Sequence, residues 1–125
     1  MTTAITTDSF QSVVHKPGIV VLDWWAAWCG PCRAFAPVFE AASKRHPTVV
    51  WGKVDTEAEP DLARAFEIRA IPTLMVFRDG ILVFEQAGML PAASLDKLVS
   101  EVGKLDMDDV RRRVAEHDKA HAAPA

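Results

Sequence analysis

The run Ile19–Trp25 constrains the fold more than any other part of the chain. Six of its side chains are aliphatic or aromatic, and only Asp23 interrupts it. The run is too short for a typical helix, and its β-branched and aromatic residues favour a strand, here one buried on both faces. A chain of 125 residues that is half apolar can bury one such core. We therefore predict a single α/β domain with this strand at its centre.

The elements around this strand are predicted to alternate between helix and strand before a final hairpin. Apolar side chains spaced three and four residues apart predict helices, and short β-branched runs predict strands. The pair Asp79-Gly80 is typical of a tight turn and makes the last two strands antiparallel. We predict helices over 8–14 (capped by Asp8), 31–45, 60–66 and 91–102, and further strands over 49–54, 73–77 and 81–85. The sheet is therefore predicted to be mixed.

A separate piece is predicted after Gly103. Asp106 is suited to cap a further helix, whose acidic first turn faces arginines at i+4. The predicted pairs are Asp108 with Arg112 and Asp109 with Arg113. The last residues, 121–125, are expected to be frayed. We predict a domain over residues 1–104 and a helical extension with a frayed tail over residues 105–125.

The charge and the apolar pattern argue against two classes of partner. A net charge of −3 provides no basic surface for nucleic acid or anionic lipid. Residues 1–10 contain neither a basic segment nor an apolar segment of the kind found in secretory signals, and no apolar run is long enough to span a bilayer. We expect a cytoplasmic protein that binds neither nucleic acid nor membrane.

The only two cysteines, Cys29 and Cys32, form one Cys-x-x-Cys unit just after the central strand. A disulfide between cysteines separated by only two residues closes too short a loop to stabilise a fold through chain entropy. The pair therefore indicates a chemical role more than a structural one. Disulfide exchange needs one thiolate to attack and a second to resolve the mixed disulfide. At a helix N-terminus the thiolate of Cys29 is favoured, so we predict Cys29 as the attacking thiol. Cys32, one turn inward and less exposed, is the predicted resolving thiol.

A zinc site is the main alternative for this cysteine pair. Structural zinc normally takes four ligands, and the remaining candidates are His15, His46, His117 and His121. The last two have a His-x3-His spacing, but they lie much farther from the cysteines than the roughly 12–15 residues of a zinc finger. Redox chemistry is therefore favoured over metal binding.

The chain resembles the thioredoxin family in this motif and in several others. Trp28-Cys29-Gly30-Pro31-Cys32 is the active-site signature of thioredoxins, and the strand before it is also similar. The other matching motifs occur in the family's order: Lys53-Val54-Asp55, Ile71-Pro72-Thr73, Asp79-Gly80 and Gly88. The resemblance covers about residues 5–104 and implies the thioredoxin fold, a central mixed β-sheet flanked by helices, here with a short C-terminal helical extension.

The resemblance implies roles for three residues around the cysteines. Asp23 matches the family's buried acid beneath the resolving thiol, where it would exchange a proton with Cys32. Burial in an apolar strand should raise the pKa of this acid, although a carboxyl hydrogen-bonded to backbone is the alternative. Lys53 matches the lysine near that acid, with a strand lysine reaching solvent as the alternative. Pro72 matches the family's cis-proline.

The same resemblance implies a surface that binds client proteins. Ile71 would offer backbone hydrogen bonds to an extended client segment. The predicted substrate-binding residues are Trp28, Gly30, Pro31, Ala70, Ile71, Gly88 and Met89, any of which could instead be an ordinary exposed residue. Trp24 and Trp25 alternate across the strand and are predicted to be core residues. Ala27 stands where many relatives carry a polar or charged residue, and Arg33 is expected to be a solvated charge.

These features predict a protein-disulfide reductase that works through a reversible Cys29–Cys32 dithiol. The chain has no glycine-rich nucleotide or flavin motif, so we expect no dissociable cofactor. The resemblance implies disulfide-containing clients and a separate thioredoxin reductase as the electron donor, and we expect a monomer. Two alternatives stay open at this point: an oxidase or isomerase, and a non-catalytic clamp that uses the extension.

Overall fold

The computed structural model describes residues 1–120, which form one five-stranded sheet and five helices. The strands are β1 (Thr2–Ala4), β2 (Ile19–Trp25), β3 (Val50–Asp55), β4 (Thr73–Arg78) and β5 (Ile81–Ala87). The helices are α1 (Thr7–Val14), α2 (Gly30–Arg45), α3 (Pro60–Ala65), α4 (Ala92–Gly103) and α5 (Met107–Ala120). None of these helices is long and apolar enough to cross a membrane.

The sheet is mixed, as the sequence predicts, with β2 at its centre. The strand order is β1-β3-β2-β4-β5. Strands β1 and β2 both run parallel to β3, whereas β4 runs antiparallel to β2 and to β5. Both residues of the β4–β5 turn, Asp79 and Gly80, have positive φ, which matches the right-handed twist of a hairpin. This register places Asp23 beside Lys53 on β3 and Leu74 on β4.

Helices cover both faces of the sheet and form two cores. On one face α1 and α3 pack against Val20, Leu22 and Trp24. On the other face α2 and α4 pack against Val21 and Trp51. Strand alternation therefore buries the apolar side chains of β2 on both faces, in agreement with the predicted two-sided burial.

Near the N-terminus one prediction was wrong and one strand was missed. The first helix is capped by Thr6, whose hydroxyl accepts a hydrogen bond from the Ser9 N–H, while the Ser9 hydroxyl accepts one from the Thr6 N–H. Asp8 therefore lies inside the first turn instead of at the cap. Strand β1 was not predicted, because three residues of mixed polarity give no periodic signal.

Helix α5 packs against the rest of the fold. Asp106 caps it as predicted, and Met107 is buried. Arg111 lies 3.6 Å from Asp79 in the β4–β5 turn and 3.3 Å from Asp108. The predicted Asp108–Arg112 pair is not formed, because Arg112 and Arg113 both contact Asp109. The predicted frayed end, 121–125, lies outside the described residues.

Candidate active site

The two cysteines are joined in a disulfide at the junction of β2 and α2. Cys29 is the N-cap of α2, and its Sγ accepts a hydrogen bond from the Cys32 backbone N–H at 3.2 Å. A donor aimed at this sulfur, together with the helix N-terminus, favours the thiolate form once the disulfide is reduced. In the disulfide the two residues are almost equally buried, Cys29 at 4% and Cys32 at 3% exposure. The predicted difference in exposure is therefore too small to assign their roles.

The turn between β2 and α2 sets the position of the disulfide. Ala26 is fully buried, and its carbonyl oxygen accepts a hydrogen bond from the Cys29 N–H at 3.2 Å. Pro31 lies in the first turn of α2, where a missing N–H costs no helical hydrogen bond. Gly30 is open to solvent, with only the Arg33 guanidinium near the place a side chain would take. The local sequence thus starts the helix at the first cysteine.

A second segment meets the disulfide from the side of β4. The Ile71–Pro72 peptide bond is cis, as the resemblance implied, and Pro72 is buried. The carbonyl oxygen of Ile71 lies 3.6 Å from Cys29 Sγ. Gly88, with φ of 98°, donates its backbone N–H to the Pro72 carbonyl at 2.7 Å. The structure therefore places Ile71 beside Cys29 Sγ, with Pro72 and Gly88 joined to each other next to it.

An exposed groove leads away from this point. Trp28 is 67% exposed, and its indole N–H donates a hydrogen bond of 2.8 Å to Glu57. The groove has a volume of about 180 Å³ and is lined by Trp28, Thr56, Ile68, Arg69, Ala70 and Ile71. Three predicted surface residues thus line one groove, and Met89, 42% exposed, follows Gly88. Sequence reasoning missed Glu57 and Arg69, because the contact of Glu57 spans 29 residues and Arg69 belongs to no chemical motif.

Asp23 lies buried in β2 on the face that carries the disulfide. Burial raises the pKa of its carboxyl from 3.8 to about 6, against the opposing charge of Lys53. This confirms the predicted direction. Neither carboxyl oxygen accepts a hydrogen bond from any residue within 1–120, so the alternative of a backbone-bonded acid is wrong for the described chain.

Lys53 and Trp25 sit together beside this acid. The Lys53 Nζ lies 5.0 Å from the centre of the Trp25 ring, a cation–π distance. Lys53 is half-buried, which differs from the alternative of a lysine that simply reaches solvent. Trp24 is a core residue as predicted, whereas Trp25 is only partly buried and packs against the cysteines. Strand alternation, which places Trp25 on the face of Asp23, is the signal that could have indicated this.

The part of the chain that the structure describes contains no cluster of side chains that could bind zinc. No three of its His, Cys, Asp or Glu residues lie close enough together to hold a metal. Nε2 of His46 lies 2.7 Å from an Asp96 oxygen, and Nδ1 of His15 lies 2.7 Å from the Gln11 carbonyl oxygen. The fourth histidine candidate, His121, lies outside the described residues.

Comparison with known proteins places this geometry in one family. The thioredoxin family model matches residues 1–101. The Streptomyces coelicolor protein named "Putative thioredoxin 2" is 50% identical over 115 residues, which cover 92% of this chain and 86% of that protein, so the match extends into α5. The thioredoxin of Chlamydia muridarum is 38% identical over 101 residues, covering 81% of this chain and 98% of that one.

Solved structures agree with the sequence comparisons. A mutant thioredoxin from Halobacterium salinarum superposes with a TM-score of 0.75 at 29% identity, over 82% of this chain and 90% of that one. The disulfide at a helix N-terminus, beside the Ile71 of a cis Ile71–Pro72 bond, is therefore part of a fold and a sequence that this chain shares with these proteins. The chain belongs to the thioredoxin family of thiol–disulfide oxidoreductases.

Proposed function

We propose that Cys29 attacks disulfides of client proteins, that Cys32 releases the reduced client, and that a separate thioredoxin reductase restores the dithiol. One observation carries the proposal. The Cys29 Sγ accepts a hydrogen bond from the Cys32 backbone N–H. It lies 3.6 Å from the Ile71 carbonyl oxygen, next to the exposed groove. A thiolate placed there is stabilised by the helix N-terminus and can be reached by a bound segment.

The exchange proceeds in two balanced steps. The Cys29 thiolate forms a bond with one client sulfur, and the other client sulfur leaves as a thiolate that takes up a proton. The Cys32 thiolate then attacks Cys29 Sγ, which breaks the mixed disulfide and frees the second client sulfur. Two electrons pass to the client, and the Cys29–Cys32 disulfide remains. Asp23, buried on the same sheet face, is the proposed acceptor of the Cys32 proton, with Lys53 stabilising its ionised form.

The client would bind as an extended segment across the groove. The Ile71 carbonyl lies beside Cys29 Sγ, and pairing of client main-chain groups with the Ile71 backbone would give affinity without fixing the client sequence. The proposed contact surface comprises Trp28, Gly30, Pro31, Ala70, Ile71, Gly88 and Met89. Pro72, cis and buried, shapes the segment that presents Ile71. A shallow, mostly apolar surface of this kind suits many different proteins.

The remaining parts of the proposal concern the working unit and its surroundings. We propose that residues 1–104 form the catalytic domain, that residues 105–125 are an appendage to it, and that the protein acts as a monomer in the cytoplasm. We also propose that it needs no dissociable cofactor, because the Cys29–Cys32 pair itself carries the electrons. Under this scheme the protein takes part in electron transport from the reductase to its clients.

The direct test is insulin reduction with NADPH and a thioredoxin reductase, comparing the intact chain with Cys29→Ser. We expect NADPH oxidation and insulin precipitation with the intact chain only. A parallel assay with dithiothreitol in place of the reductase separates two kinds of failure. Activity with dithiothreitol alone would refute the proposed electron donor, and no activity with either would refute the reductase mechanism.

A further inference from the structure

Two arginines belong to the two segments that flank the disulfide. Arg69 lines the groove together with Trp28 and Ile71. On the other segment, Arg33 folds back over the start of α2, where its Nη1 donates a hydrogen bond of 2.9 Å to the Ala27 carbonyl oxygen. Its Nη2 lies 3.9 Å from the position that a side chain on Gly30 would occupy. Arg69 therefore lies on the Ile71 side of Cys29 and Arg33 on its α2 side.

Neither of these two arginines is held in an ion pair within the described chain. Within residues 1–120, neither Arg33 nor Arg69 forms an ion pair with a carboxylate. Glu57 also borders the groove, where its Oε1 accepts a hydrogen bond from the Trp28 indole N–H, and among the described residues it forms no ion pair with either arginine. Glu67 lines an adjoining groove with Arg69, and no ion pair between these two described residues is formed. The positive end of the α2 dipole adds to the same field.

We propose that this groove selects client segments that carry Asp or Glu close to the reactive cysteine. The inference rests on the proposed function, in which the client chain lies along Ile71. Arg69 is two residues before Ile71, so an extended client would place a side chain about two residues from its cysteine opposite Arg69. An acid on the other side of the cysteine would approach Arg33. Trp28 takes the apolar part of the same segment.

The test uses peptides that differ only in charge. Each contains one cysteine as a mixed disulfide with 2-mercaptoethanol, flanked two residues away on both sides by Glu, Gln or Lys. The three peptides compete for the reduced protein, and each rate is divided by the rate of the same peptide with dithiothreitol. One exposed ion pair changes binding about 1.4- to fivefold, and the Glu peptide can form two, so we expect Glu to exceed Gln by at least about twofold and Lys to fall below Gln. The preference should disappear near 1 M salt, where charges are screened within about 3 Å.

Matched variants locate the effect. Arg69→Gln and Arg33→Gln should each lower the Glu-to-Gln ratio about 1.4-fold or more. Lys44→Gln removes one exposed charge at the far end of α2 and should leave the ratio unchanged.

Three results would overturn the inference: equal normalised rates for Glu and Gln, a preference that persists in 1 M salt, or an equal loss in Lys44→Gln. Failure to reduce even the Gln peptide would instead overturn the proposed function.

Discussion

The buried carboxyl of Asp23 makes the stability of the oxidised protein depend on pH in a defined direction. Its pKa is raised by burial from 3.8 to about 6 in the fold, so the native state holds this proton more tightly than the unfolded chain does. As the pH rises from about 4 to above 6, ionisation destabilises the native state, and the loss levels off at higher pH. The Asp23→Asn variant cannot ionise and escapes this loss.

The size of the effect follows from the two pKa values. One pH unit corresponds to about 1.4 kcal/mol, so a pKa raised from 3.8 to about 6 is worth about 3 kcal/mol. The unfolding free energy of Asp23→Asn, minus that of the wild type, should therefore increase by about 3 kcal/mol between pH 3 and pH 8. The contribution of the amide itself is present at both pH values and cancels in the change.

The measurement is urea denaturation of both proteins at intervals from pH 3 to pH 8. Both proteins are kept oxidised, because disulfide-bonded cysteines do not titrate. Lys53→Gln serves as a second variant, since removal of the opposing positive charge should raise the pKa of Asp23 further. Lys44→Gln, with its exposed side chain far from Asp23, is the matched charge control. A flat difference between Asp23→Asn and wild type would refute desolvation as the dominant cause. A difference that shrinks with rising pH would show that Lys53 outweighs burial.

Three further predictions concern the appendage, the core and the reduction potential. Removal of residues 105–125 should leave the rate of insulin reduction nearly unchanged. It should lower the urea midpoint slightly, because the contacts of Met107 and Arg111 are lost. A large loss of rate would contradict the proposed domain division. Gly52→Ala should lose about 1–3 kcal/mol of stability in urea, because a Cβ there would lie 2.8 Å from both Ile5 and Leu22; unchanged stability would refute the packing argument. Equilibration with glutathione should give a reduction potential nearer about −270 mV than the roughly −180 mV of protein disulfide isomerase, and a value near the latter would favour the isomerase alternative.

Sequence patterns predicted most of the fold because its elements are strongly periodic. The two-sided burial of Ile19–Trp25, the helical spacing in α2 and α4 and the Asp79-Gly80 turn each have a local physical cause. The N-cap of α1 was misplaced because Thr6 and Asp8 are both good capping residues, and only the geometry of the Thr6–Ser9 bonds decides between them.

The site was predictable where chemistry leaves a motif and was missed where only proximity defines it. Cys29, Cys32 and the cis Ile71–Pro72 bond belong to recognisable motifs. The contact between Glu57 and Trp28 joins two loops that are distant in the chain, and nothing local in either loop indicates it. The near-equal burial of the two cysteines also could not be predicted from the sequence, because it depends on how the Ile71 segment packs against Cys29.

The order of attack by the two cysteines is the central claim of the mechanism. Its most direct test incubates reduced Cys32→Ser and the matched variant Cys29→Ser with insulin, followed by mass spectrometry of the trapped adducts. We predict that Cys32→Ser accumulates a mixed disulfide at Cys29, while Cys29→Ser forms little or none at Cys32. Adducts mainly at Cys32, or no adduct in Cys32→Ser, would contradict the mechanism.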